Sequence, residues 1–221
     1  MKKITILLFT TFLCLNVILK SQTLHDNDMK LNIENAEYVK EDLTKLLQSN
    51  MTYPLEALKN EIQGDVILSF LIDKTGNLDS LNILISPNDI LSASSIVSFN
   101  HLENEWSPCK VNGDPIDKKY FIVFRYRLYM NTQPPEYIKR AEKFVEKQKY
   151  EKALKFYDKA IAENLYDSRL FELRSKVKEI LGDKDGAEKD FQESKRLQNE
   201  IISLVDIEAI GISRVEKRVV Y

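Results

Sequence analysis

Gly64-Asp65-Val66-Ile67-Leu68-Ser69-Phe70-Leu71-Ile72-Asp73-Lys74-Thr75-Gly76-Asn77 is the stretch that decides the fold of the first half of this chain. Val66, Leu68, Phe70 and Ile72 recur at period two, so four apolar side chains share one face of a strand. Asp73 to Asn77 is made of turn formers, and Leu81, Ile83 and Ile85 then resume the alternation. The pattern predicts an antiparallel hairpin.

Upstream, Tyr53-Pro54 is followed by Leu55-Glu56-Ala57-Leu58. Proline at a helix start loses nothing by lacking an N–H, so a short helix begins there. Downstream, 91–102 is a serine-rich helix candidate of weak periodicity. Asn112-Gly113 marks a turn, and Tyr120, Ile122, Phe124, Tyr126 and Leu128 form one face of a last strand. Phe121, Val123, Arg125 and Arg127 occupy its other face. The element order is helix, strand, strand, helix, strand, which predicts a small α+β domain.

The ordered set Tyr53-Pro54, Ala57, Gly64, Val66, Phe70, Asp73, Gly76, Trp106-Ser107-Pro108, Asn112-Gly113 and the Phe124 strand resembles the TonB C-terminal domain family, over about residues 50–129. In that family the Tyr-Pro element and the last strand lie where an extended segment of an outer-membrane receptor is captured. The resemblance implies a protein-binding site of Tyr53, Pro54, Tyr120, Phe121, Ile122, Val123, Phe124, Arg125 and Tyr126. The physics agrees with such a role, because an edge strand has unpaired backbone groups that an added strand can satisfy. The bland alternative is that Phe121 and Val123 simply cover the second side of a small sheet.

Beyond Asn131-Thr132-Gln133-Pro134-Pro135 the composition changes. Residues 22–132 carry 10 basic against 16 acidic side chains, and residues 133–221 carry 19 against 18 in a shorter span. Two prolines interrupt any helix, so a domain boundary falls there. The expected division is 1–21, 22–132 and 133–221. Ala153 and Tyr157 recur as Ala187 and Phe191 at a spacing of 34 residues, with Gln148 and Gly182 in the same register. That period, and Tyr150-Glu151-Lys152-Ala153-Leu154, resemble tetratricopeptide repeats over about 134–201. Arg174 and Ser175 depart from the usual residues of the second copy. Two repeats are fewer than such arrays need, so their ends require cover from the Leu197–Val205 extension, the first domain or a second copy. Residues 211–221 alternate too briefly to assign.

The chain begins Met1-Lys2-Lys3 and continues uncharged from Ile4 to Leu19, followed by Lys20-Ser21-Gln22. This is the layout of a secretory signal. As a helix the run is roughly 24 Å long, short of a hydrocarbon core of about 30 Å. Cleavage after Ser21 is the expectation, with an uncleaved inner-membrane anchor as the alternative and the only route to membrane contact. Leu13 before Cys14 argues against lipid attachment. The expected location is the periplasm.

With 32 Lys+Arg against 34 Asp+Glu there is no basic excess to attract nucleic acid. Cys109 and two distant histidines give no metal set, and no phosphate loop, zinc-protease motif or nucleophile elbow is present. The reading is therefore of no enzyme and no cofactor. The expected function is capture of an extended segment of a TonB-dependent outer-membrane receptor or another envelope protein, with the repeats as adaptor and a link to TonB-dependent transport. Residues 1–24 hold no histidine and Pro54 is the first proline, unlike full energy transducers. The alternative is a non-transducing scaffold, a homodimer joined through the same strand edge.

Overall fold

A computed structural model describes residues 31–130, 134–210 and, for the backbone alone, 214–219. Residues 1–21, expected to be a signal, and the Asn131-Thr132-Gln133 join lie outside the described residues. The predicted hairpin is formed by β3 (Gly64–Ile72) and β4 (Leu78–Ile85). Asp73 closes it by accepting from the amides of Thr75 and Asn77 at 2.8 and 3.0 Å and from the Thr75 hydroxyl at 2.6 Å. Those bonds hold its exposed carboxyl down at about 2. Gly76 has φ +86, and a Cβ there would lie 2.2 Å from the Trp106 carbonyl oxygen, so only glycine serves.

The remaining elements follow the expected order and add short strands at the front. β1 (Ile33–Glu34) pairs with β6 (Cys109–Val111), and β2 (Glu37–Tyr38) pairs with β5 (Trp106–Ser107). β7 (Asp114–Ile116) completes the small sheet beside β6. The first two helices are α1 (Leu43–Asn50) and α2 (Leu55–Lys59), the latter started by Pro54. The serine-rich segment is α3 (Asp89–Phe99). Its periodicity is weak because buried serines satisfy their hydroxyls on backbone carbonyls: Ser95 donates to Leu91 within the helix, and Ser98 donates to Leu47 of α1.

β8 (Lys118–Tyr129) pairs antiparallel with β3 along its length, from Gly64 opposite Tyr126 to Ile72 opposite Lys118. Tyr120, Ile122, Phe124 and Tyr126 enter the main core with Val66, Leu68, Phe70, Leu91 and Trp106. Cys109 is fully buried there as a small filler. The architecture is α+β.

Beyond β8 come four helices: α4 (Tyr137–Glu146), α5 (Tyr150–Glu163), α6 (Ser168–Ile180) and α7 (Lys184–Glu200). The 34-residue spacing is visible in the backbone. Gln148 and Gly182 both have positive φ, 54° and 84°. The Gln148 and Lys149 amides donate to the carbonyls of Val145 and Phe144, and those of Gly182 and Asp183 to Glu179 and Lys178. Both turns are the same helix C-cap, displaced by one period. The region is compatible with two helical-hairpin repeats.

The copies differ inside. Tyr157 is buried against Val177 of the next hairpin, whereas Phe191 is 41% exposed, with no third hairpin among the described residues to cover it. Arg174, one of the two residues that depart from the repeat pattern, bridges three helices. Its guanidinium donates to both Asp190 oxygens at 2.7 Å and to Asp158 at 2.9 Å. Burial works against the Asp190 charge, but Arg174 and Lys178 hold its carboxyl below the usual range.

The chain departs most from the sequence reading after α7. β9 (Ile201–Ile210) runs parallel to β8, from Phe121 opposite Ile201 to Tyr129 opposite Ile210, and β10 (Arg214–Val219) returns antiparallel beside it. The sheet order is β10-β9-β8-β3-β4. A parallel pair needs a long crossover, and here all four helices supply it. Residues 201–219 therefore complete the sheet of the first half, and the expected boundary that assigned 133–221 to a separate helical domain is corrected. The described residues from 32 onward form one compact unit.

Candidate functional site

The nine expected binding residues fall on α2, its approach and β8. Tyr53 is buried, donates its hydroxyl to the Ile62 carbonyl at 2.7 Å and meets the Tyr126 ring edge-on at 5.3 Å. Burial pushes its hydroxyl up to about 12. Pro54 caps α2 and is half-buried. The Tyr120 hydroxyl accepts from the Ala36 amide at 2.8 Å, and the Tyr126 hydroxyl lies 3.1 Å from that of Ser95. Burial raises both phenols above their ordinary value. With Ile122 and Phe124, these residues are core.

The opposite face of β8 is covered as well. Val123 packs with Ile67 and Leu204 in a second apolar cluster, flanked by Phe121, Tyr166 and Ile201. Arg125 is 6% exposed and grips Asp206 of β9 with two nitrogens, its Nη2 at 2.8 Å from Oδ2. Burial pushes the Asp206 carboxyl up while the Arg125 charge opposes the rise. Arg127 continues the row, 2.8 Å from Asp65 of β3.

The expectation of a free edge at Tyr120–Tyr126 is therefore corrected. β8 is an interior strand, with β3 on one side and β9 on the other. Its backbone groups are satisfied within the chain, and neither a receptor segment nor a second copy can add there without removing β9. That removal would uncover Val205, Ile207 and Ala209, all in the main core. The sequence signal for β9 was present: Val205, Ile207 and Ala209 alternate with Leu204, Asp206 and Glu208. Two carboxylates disguised it as a solvated segment, since a strand buried on both faces normally reads as continuously apolar.

Among the described strands, the margins of the five-stranded sheet are β4 and β10. β4 is unusual for an edge. From Leu81 to Ile85 it carries no charge, and Leu81, Ile83, Leu84 and Ile85 are all exposed, Leu84 to 55%. Natural edges are ordinarily guarded by charge, proline or bulges. Here Asp79, a left-handed Ser80 at φ 56° and two register shifts against β3, one between Asp79 and Asn82 and one between Ile83 and Ile85, interrupt the strand, but no charge or proline guards 81–85. The stretch 81–85 was read in the sequence as the hairpin's second strand and not as a site.

Comparison with known proteins finds one similarity, over part of the chain. Residues 49–128 match the family model of the Gram-negative bacterial TonB protein C-terminal. That match runs from the end of α1 to β8, less than half of the chain, and includes none of the helices beyond. No curated protein and no solved structure matches the chain. Among the described residues no helix is long and apolar enough to cross a membrane.

Proposed function

We propose that this chain is a non-catalytic, periplasmic protein-binding module. It takes up an extended segment of an outer-membrane receptor or another envelope protein by strand addition, at β4 rather than β8. The observation that carries the reading is the uncharged, exposed apolar stretch Leu81–Ile85 on an open margin of a TonB-like sheet. An added strand would pair its unpaired backbone groups and cover those side chains, so affinity would come from the main chain and specificity from the apolar contacts. The helical hairpins carry β9 to β8, and their charge-dense outer faces leave room for an adaptor role toward a second protein.

The test is a backbone-amide shift titration of the chain with an extended peptide from the plug end of a TonB-dependent receptor. Shifts centred on residues 78–85 and their β3 partners are expected, and Ile83→Lys should abolish them. Shifts on 118–129 with loss of the β9 resonances would overturn the β4 assignment in favour of displacement. No shift, together with a mass that rises with concentration, would replace capture by self-association along β4.

A further inference from the structure

One outer face of the first helical hairpin gathers aromatic rings and positive charges. Tyr137, Arg140 and Phe144 are spaced by three and four along α4, and Lys152, Phe156 and Lys159 by four and three along α5, so each trio shares one helix face. The two faces meet. The Phe144 and Phe156 rings stack at 5.5 Å with 19° between their planes, and Tyr137 reaches Phe156 at 6.4 Å. All three rings are half-buried, whereas Arg140, Lys152 and Lys159 are exposed.

The cations lie over these rings. Lys152 Nζ is 5.9 Å from the Phe144 centroid, and Lys159 Nζ is 5.6 Å from that of Phe156 and 5.8 Å from that of Tyr137. Arg140 Cζ is 5.9 Å from the Phe156 centroid, so two positive charges share one ring. A ring quadrupole attracts a cation but leaves its charge in place.

The hairpin's own carboxylates do not supply the counter-charge. Glu136 is held by Lys139 at 3.1 Å, Glu142 by Arg169 at 3.6 Å and Asp158 by Arg174 at 2.9 Å. Glu146 and Glu151 fall off the ring faces by the helical period. Glu163 stands one turn beyond Lys159 without pairing with it. Among the described residues no carboxylate pairs with Arg140, Lys152 or Lys159.

Two further observations indicate the kind of partner. No large apolar side chain of α4 or α5 is exposed, so the face has none of the projecting wedges by which a helix settles into a lipid interface. Lys152 and Lys159 are seven residues apart, about 10 Å along the helix axis. That matches side chains three residues apart on an extended chain, also about 10 Å.

We infer that this face docks an acidic segment of a partner protein, an extended stretch with two carboxylates three residues apart. One carboxylate would accept from Lys152 and the other from Lys159 and Arg140, with the chain between them crossing the Phe144–Phe156 stack. Such a segment neutralises the gathered cations, and the guanidinium adds directional N–H donors. The inference rests on the adaptor role proposed for the hairpins and not on capture at β4.

The test is a nitrogen-15 NMR titration of the full chain with an end-blocked Gly-Glu-Gly-Gly-Glu-Gly peptide, its glutamine counterpart, and vesicles of equimolar phosphatidylcholine and phosphatidylglycerol. The acidic peptide should shift amides in 137–144 and 152–159, with a dissociation constant on the order of 1 mM or tighter at low salt and weaker binding as salt rises. Lys152→Glu with Lys159→Glu should weaken it at least roughly tenfold, whereas Lys189→Glu, a charge reversal on an exposed position of α7, should change it less than about twofold. Ile83→Lys should leave this titration unchanged, and the double lysine variant should leave receptor-segment shifts on 78–85 unchanged, so either reading can fail alone. No shift with the acidic peptide, equal shifts with the glutamine peptide, equal loss in Lys189→Glu, or binding to the vesicles without the peptide would each overturn the inference.

Discussion

β8 and β4 flank the same strand, β3, and have opposite fates. β8 has an arginine pair on one face and three aromatic rings on the other, yet every one of those rings contributes to a protein interior. β4 has four large aliphatic side chains in five residues and leaves them exposed. The difference lies in what the chain does later. β9 returns to β8 through the helical crossover, whereas no described strand lies beyond β4. Whether a strand is an edge is therefore decided by residues far from it in sequence.

The largest effect that would break this comparison is a charge in the β8–β9 seam. Ile207 is fully buried in the main core. Ile207→Asp should cost more than about 4 kcal/mol, because it strands an unpaired carboxylate there. Chemical denaturation should show a lost or severely shifted transition. A normal midpoint would mean that β9 is loosely held and that β8 is available after all.

Next in size is the buried ion pair. Asp206→Ala leaves the Arg125 charge without its partner and should cost about 3–5 kcal/mol. Replacing both, Asp206→Leu with Arg125→Met, should recover most of that loss. If the double variant is as unstable as the single one, the pair does more than neutralise itself.

Alkaline pH separates the two strands by their chemistry. Tyr53, Tyr120 and Tyr126 sit around the core face of β8, whereas β4 carries no tyrosine. Burial raises all three phenols, Tyr53 to about 12 from 10.0. The unfolded chain loses those protons first, so the native state binds more protons between about pH 10 and 12, and stability must fall as pH rises through that window. Tyr53→Phe should reduce the slope while costing about 1 kcal/mol for its hydrogen bond. Melting curves at neutral and alkaline pH test both.

A smaller effect distinguishes the two hairpins. Gly182→Ala meets no atom within 4 Å, so its cost is only that of a left-handed alanine, about 1–2 kcal/mol. Gln148→Gly at the equivalent turn should be neutral or slightly stabilising, as the native residue already bears that strain. Equal responses of opposite order would argue that the turns are not equivalent. Smallest of all is Ile83→Lys on β4. Stability should stay within about 0.5 kcal/mol while any association through that margin disappears.

Much of this was legible in advance because it rests on local rules. Period-two alternation places Val66, Leu68, Phe70 and Ile72 on one face whatever surrounds them, and Asp73 to Gly76 must turn. Pro54 starts α2, Asp73 caps the hairpin turn, and Gln148 and Gly182 end helices one period apart. The binding residues were less legible. Tyr53 and the β8 side chains were selected through a resemblance, and burial on both sides leaves them no free surface at which a partner could add.

The sequence by itself determined the β3–β4 hairpin, β8, the turns and the 34-residue register, since each depends on side chains within a few positions of one another or on one simple period. Only the tertiary structure decided which strands are margins and where the chain is divided. Those outcomes depend on β9 meeting β8 some 80 positions away, with Asp206 bonded to Arg125. A buried carboxylate that is paired in space reads, along the chain, like one that faces water.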